Sequence, residues 1–185
     1  GAILRFDGAA WTTMTSPATT ALNAVWGASP KDVFAVGAGG KIFHWDGSSW
    51  TAMTSNTTAT LIDVYGFSPT SVFAVGANGT VLRYDGATWQ SSATGLPASE
   101  TLAALYGTAT SNLLGVSSTT GKVYAMNVAN FTWSENADPV AGAGTLHSLW
   151  GSAPFDVYAA GSGGRIYRFN GSTWAAMPSG NRQYR

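Results

Sequence analysis

ALNAVWGASPKDVFAVGAGGKIFHWDGSSWTAM, residues 21–53, reads as four short strands separated by tight turns. Leu22–Trp26 is the first run, ended by Gly27, and Val33–Val36 the second, ended by Gly37. Ile42–Trp45 is the third, ended by Asp46-Gly47, and Ser49–Met53 the fourth. Each run is β-branched, aromatic or apolar and is bounded by Gly, Pro, Ser or Asp, the pattern of strands between turns.

The stretch returns three more times in edited form, and half of it stands at the N-terminus. The aromatic–glycine pair that ends the first run occurs at Trp26-Gly27, Tyr65-Gly66, Tyr106-Gly107 and Trp150-Gly151, at spacings of 39, 41 and 44 residues. The tryptophan of the fourth run recurs as Trp11, Trp50, Trp89, Trp133 and Trp174. A period of about 40–45 residues with four strands per unit is that of a β-propeller blade. No window has apolar residues at helical spacing, which excludes helical solenoids. The longest connection of the unit, Met53 to Leu61, is the crossing between blades, so the Leu22 strand is expected innermost and the Trp50 strand outermost.

The predicted fold is therefore all-β: a propeller of four-stranded antiparallel blades, with four whole blades and a half blade, forming a five-bladed ring or a fragment of a larger one. The half blade covers 1–14 and the whole blades 21–53, 60–93, 101–134 and 145–177, followed by a tail, 178–185, with no strand pattern. The third blade has drifted, with SNLLGVS at 111–117 and two extra residues in NVANFTW at 127–133. The tail is expected to fray. An incomplete first blade leads to a further expectation, that the segment belongs to a longer chain or associates with itself, because an open arc leaves blade faces uncovered.

Composition narrows the partners. The chain has 185 residues, 45% hydrophobic and 10% charged, with a formal net charge of zero and no cysteine. Nucleic acid and anionic membranes call for clustered Lys and Arg, and no such run exists. No apolar stretch approaches the ~20 residues that span a bilayer. The absence of cysteine removes disulfides and thiolate metal sites. Low charge with abundant Ser, Thr, Gly and Ala points to an extracellular or cell-surface protein.

At Ile42 to Trp50, IFHWDGSSW, the third and fourth runs and their turn resemble those of Asp-box propellers, and DVFAVGAGGKI at 32–42 resembles a strand pair of photosystem assembly-factor propellers. The S-P-x-D-V-F-A-V-G frame is most similar to secreted bacterial repeat propellers of surface proteins. The resemblance covers nearly the whole chain and implies the architecture. Only three residues separate Asp46 from Trp50, unlike an Asp box, so it implies no sialidase or lectin activity.

The recurring polar positions read as structural. Asp7, Asp46, Asp85 and Asn170 each precede glycine and suit Asx turns, in which the side chain accepts backbone N–H groups two residues on. Calcium would need 6–8 oxygen ligands, and each turn offers one carboxylate or amide. The column Arg5, His44, Arg83 and Arg168 is expected to pair with loop carboxylates such as Asp32 or Asp156. The tryptophan column suits packing between blades near the rim.

The candidate ligand contacts are the inner-strand aromatics Trp26, Tyr65, Tyr106 and Trp150, which close the inner strand of each blade near one mouth of the channel. His147, also on an inner strand, joins them, as do the loop carboxylates Glu135 and Asp138. A glycosidase would need two of the loop carboxylates Glu100, Glu135 and Asp138 about 5–9.5 Å apart, where solvated loop acids are the ordinary expectation, and a lone histidine is no metal site. No catalytic triad order, HExxH or phosphate loop occurs. The expected function is a non-catalytic binding or adhesion module for a glycan or protein, without cofactor or metal. A protein-assembly scaffold and a glycoside-active enzyme are the alternatives.

Overall fold

The computed structural model describes residues 1–109, 112–136 and 144–178. A hairpin, β1 (Ile3–Phe6) and β2 (Trp11–Met14), precedes four sheets. The first sheet holds β3 (Leu22–Ser29), β4 (Asp32–Gly37), β5 (Ile42–Trp45) and β6 (Trp50–Met53). The second holds β7 (Leu61–Ser68), β8 (Ser71–Gly76), β9 (Val81–Tyr84) and β10 (Trp89–Ser91). The third holds β11 (Leu102–Ala109), β12 (Asn112–Ser117), β13 (Val123–Asn127) and β14 (Thr132–Glu135). The fourth holds β15 (Leu146–Ala153), β16 (Asp156–Gly161), β17 (Ile166–Phe169) and β18 (Trp174–Ala176). Every sheet runs antiparallel in chain order. The first strands stack in sequence, β3 on β7, β7 on β11 and β11 on β15, which is the blade arrangement of an all-β propeller.

One local expectation is corrected. Gly27 does not end the first strand: β3 continues through it to Ser29, and Gly27 pairs with Val33 inside the ladder. The same holds for Gly66 opposite Val72, Gly107 opposite Leu113 and Gly151 opposite Val157. The turn falls later, between Ser29 and Asp32 in the first blade. Bulges on either side of this stretch, between Leu22 and Ala24 and between Gly27 and Ser29, recur at the equivalent positions of all four blades. A glycine inside a strand marks a close approach by something else, and at Gly66, Gly107 and Gly151 that is the aromatic of the preceding blade.

A second glycine answers to a backbone. Gly37, at the end of β4, lies so close to the chain entering β3 that a Cβ would sit 2.1 Å from the Ala21 carbonyl oxygen. Gly76 and Gly161 repeat the clash against Thr60 and Thr145. The V-G and A-G that close second strands are thus fixed by sterics.

The core lies between blades. Phe34, Val36 and Ile42 of the first blade pack with Leu61, Val72, Leu82 and Trp89 of the second. Phe73 and Val75 of the second pack with Leu102, Tyr124, Met126 and Trp133 of the third. Leu114 and Val116 of the third meet Leu146, Val157 and Trp174 of the fourth. Trp50 is covered by the hairpin, through Ile3 and Met14. Four of the five rim tryptophans are therefore buried packing residues. The fifth, Trp11, is 68% exposed on the hairpin's outer face.

The turns match the Asx reading. Oδ1 of Asp46 accepts the N–H groups of Ser48 and Ser49 at 2.7 and 2.8 Å, and Asp7, Asp85 and Asn170 repeat the pattern. These hydrogen bonds hold the carboxyls of Asp7, Asp46 and Asp85 below the usual carboxylate range. The basic column behaves as expected in two blades, with His44 on Asp32 and Arg168 on Asp156. In the second blade the aspartate position is Ser71, and Arg83 instead lies over the Phe131 ring, 4.2 Å from its centroid.

Candidate functional site

The four inner-strand aromatics form a row, one per blade, and each of the first three is seated on the blade that follows it. A Cβ on Gly66 would lie 2.5 Å from the Trp26 ring. One on Gly107 would lie 2.6 Å from the Tyr65 ring and 2.3 Å from Phe67. One on Gly151 would lie 2.7 Å from Tyr106. The phenols add hydrogen bonds: Tyr65 Oη donates to the Gly107 carbonyl at 2.9 Å, and Tyr106 Oη donates to that of Gly151. The Tyr65 and Tyr106 rings stand 6.1 Å apart. Each aromatic is a knob and the next blade's glycine its hole.

Trp150 is the knob without a hole. Its counterparts are half-buried, whereas it is 61% exposed among the described residues. Ile166 and Met177 are exposed in the same blade, at 40% and 39%. Their counterparts in the first blade, Ile42 and Met53, pack against the second. The outer face of the fourth blade is thus a blade-packing surface open to solvent.

The other expected contacts are not gathered on this row. His147 is exposed on β15, its Nε2 3.0 Å from Thr145 Oγ1. Glu135 lies on β14, the edge of the third sheet opposite the inner strand, and takes a 2.7 Å ion pair from Lys122. The Glu135 carboxylate raises the Lys122 pKa. Both side chains are half exposed, and surface pairs of this kind add little to stability. Replacing Glu135 by Gln is expected to leave the melting temperature unchanged, as a thermal scan would check. Asp138 lies outside the described residues, as does the tail from 179 onward.

Two further carboxylates, Asp63 and the loop acid Glu100, bond across a blade boundary or a linker. Asp63 on β7 accepts the N–H of Leu105 in the next blade at 2.7 Å and that of Val64 at 2.9 Å. Burial outweighs these bonds and raises its pKa. The signal was present: Asp63 stands where the other blades have Ala24, Ala104 and Ser148. Because its folded pKa lies above the unfolded value, its ionisation costs stability at neutral pH, and that cost disappears as pH falls through the folded pKa. Relative to Asp63→Asn, the wild-type melting temperature is therefore expected to rise on going from pH 7 toward 4. A difference that stays constant with pH would contradict this.

Glu100 is buried at the entry to the third blade. Its carboxylate accepts Tyr124 Oη at 2.9 Å, Thr120 Oγ1 at 3.1 Å and Ser117 Oγ. Ser117 occupies the place of Gly37, and the drifted blade keeps the backbone crossing bond, Ser118 N–H to the Thr101 carbonyl, while adding a polar clasp. Burial, followed by the Glu100 carboxylate, raises the Tyr124 pKa. Glu100→Ala would strand buried hydroxyls and is expected to cost about 2 kcal/mol, whereas Glu100→Gln keeps an acceptor and should cost less. Chemical denaturation of the two variants measures the difference.

No protein-family model and no curated protein sequence matches the chain. Solved structures do. Virginiamycin B lyase from Staphylococcus aureus, as the selenomethionine protein, aligns with a TM-score of 0.81 at 15% identity, covering 96% of this chain and 62% of that one. YCF48 bound to a D1 peptide aligns at 0.71 and 17% identity, covering 96% of this chain and 62% of the other. YCF48 from Cyanidioschyzon merolae aligns at 0.66 and 16% identity, covering 86% and 57%. The chain thus spans about three-fifths of the length of these structures. At such identities the likeness is one of fold: this chain has the architecture of a β-propeller.

Proposed function

We propose that this chain is a non-catalytic, protein-binding propeller module that acts as a scaffold, docking a partner on the open face of its fourth blade. The observation that carries this is Trp150. Its three counterparts each sit on the next blade, and it alone of the row stands mostly in solvent, on a blade that also exposes Ile166 and Met177. Large apolar side chains exposed on a packing face suit a protein partner. A structure with the same fold, YCF48, is known with a D1 peptide bound, which supports a peptide or protein as the class of ligand. The low charge of the chain fits an extracellular or cell-surface setting.

Parallel peptide and glycan arrays test the reading. Peptide binding that falls by roughly tenfold or more in Trp150→Ser, the loss expected of an interface anchor, is the expected result. Glycan binding without peptide binding would replace it with the adhesive reading.

A further inference from the structure

The opposite end of the arc carries the complementary vacancy. Gly27 is the hole of the first blade, and the atoms nearest to a Cβ there belong to Val33 and Asp32 of its own sheet, with no aromatic over it. Two residues away Val25 is 65% exposed, although its counterparts Val64 and Leu105 are each 4% exposed beneath the preceding blade. The hairpin β1–β2 covers only the outer half of this face, packing Ile3 and Met14 toward Phe43 and Trp50. In each whole blade the third strand is bonded on both edges, as β5 is by β4 and β6. β1 holds the third-strand place but pairs only with β2 among the described residues, so its inward edge is free. Two cavities of about 250 and 270 Å³ lie along this edge, both lined by Ile3, Leu4 and Val25.

We propose that this slot binds an antiparallel strand pair of the repeat's own inner pattern, the aromatic–glycine strand with its S-P-x-D-V-F-A-V-G return. The free edge of β1 offers the backbone hydrogen bonds by which an added strand gains affinity, and side chains of alternate residues supply specificity. One face of the incoming pair would cover Val25, and its aromatic would fill the place over Gly27 that Trp26, Tyr65 and Tyr106 fill over Gly66, Gly107 and Gly151. A folded second copy fits less well. Its terminal blade is a complete four-stranded sheet, and the outer pair β17–β18 would compete for the space that β1–β2 already holds. The proposal rests on the protein-binding reading only for the class of partner, since the slot and the Trp150 face are at opposite ends of the arc.

The test uses the full chain and a synthetic peptide with the sequence of residues 21–40, with a scrambled peptide of the same composition as control. Calorimetric titration is expected to give saturable one-to-one binding, a raised melting temperature and no response to the scrambled peptide. Val25→Glu, an exposed position whose substitution should leave the unliganded melting temperature unchanged, is expected to weaken binding by roughly tenfold or more; Leu4→Glu provides a second variant on the facing strand. Absence of binding, equal binding by Val25→Glu and Leu4→Glu, or equal binding of the scrambled peptide would overturn the proposal. So would a dimer of the chain alone, seen by native mass spectrometry and abolished by Val25→Glu, because the slot would then hold a second copy. If the repeat peptide fails while Trp150-dependent binding persists on the arrays, the slot proposal falls and the scaffold reading stands.

Discussion

Trp133→Ala is expected to destabilise the chain by about 3–5 kcal/mol, the range for emptying a buried large aromatic site. Trp133 is 2% exposed and packs with Phe73, Val75, Leu105 and Met126 across the interface between the second and third blades. Its Nε1–H also donates to the Ser92 carbonyl at 3.2 Å, so truncation removes a buried hydrogen bond as well as the ring. Trp11→Ala is the internal control. It alters the equivalent position of the same repeat, but the side chain is mostly in solvent, and surface changes of this kind fall within about 0.5 kcal/mol. Equal losses in denaturant midpoint for the two variants would show that the column does not act by packing between blades.

Gly107→Val is expected to cost about 3 kcal/mol, at the upper end for overpacking a close-packed interior. Its φ is not in the left-handed region, so the cost is contact and not backbone strain. The added Cβ would meet Tyr65 and Phe67 ring carbons at 2.6 and 2.3 Å, and both half-buried rings pack against the core between the second and third blades. Displacing them costs their packing on the third blade and the Tyr65 Oη bond to the Gly107 carbonyl. Gly27→Ala is the comparison, because its Cβ meets only the Val33 side chain at 3.0 Å and the Asp32 carbonyl at 3.4 Å. It should be tolerated far better, and a chemical denaturation series on both variants would settle the ranking.

The blade pattern was legible because each strand is short and ends in turn chemistry that the sequence spells out, as in Asp46-Gly47 with its two accepted N–H groups. The pairing of Arg168 with Asp156 could also be read from recurrence, because His44 stands at the same twelve-residue spacing from Asp32 in the first blade. Gly27 was misread as a stop because a glycine after an aromatic looks the same whether it turns the chain or admits a neighbouring ring. At Gly66, Gly107 and Gly151 the ring that decides between them lies about 40 residues away, in the preceding blade, and at Gly27 the strand runs on without one. Repeat symmetry also hid what differs between equivalent residues. Trp150 and Trp26 share a sequence frame, yet one has a blade over it and the other does not, which depends on position in the arc and not on local sequence. Asp63 was not singled out, and Glu100, expected as a solvated loop acid, is buried, for a related reason: each bonds across a blade boundary or a linker, as Asp63 does to Leu105 N–H, and no motif joins such partners.

Hydrogen exchange of the backbone amides, resolved strand by strand, probes the stacking of blades through aromatic knobs and glycine holes. Protection follows burial and the cooperative units that carry it. The slowest exchange is expected in β8 and β12, whose side chains are covered by blades on both sides, and the fastest in β1, β2, β17 and β18 at the ends. Gly107→Val should then accelerate β7 and β11 together, since it loosens the interface they share. Uniform protection from β1 to β18, or an acceleration confined to β11 alone, would contradict blades held together by that interlock.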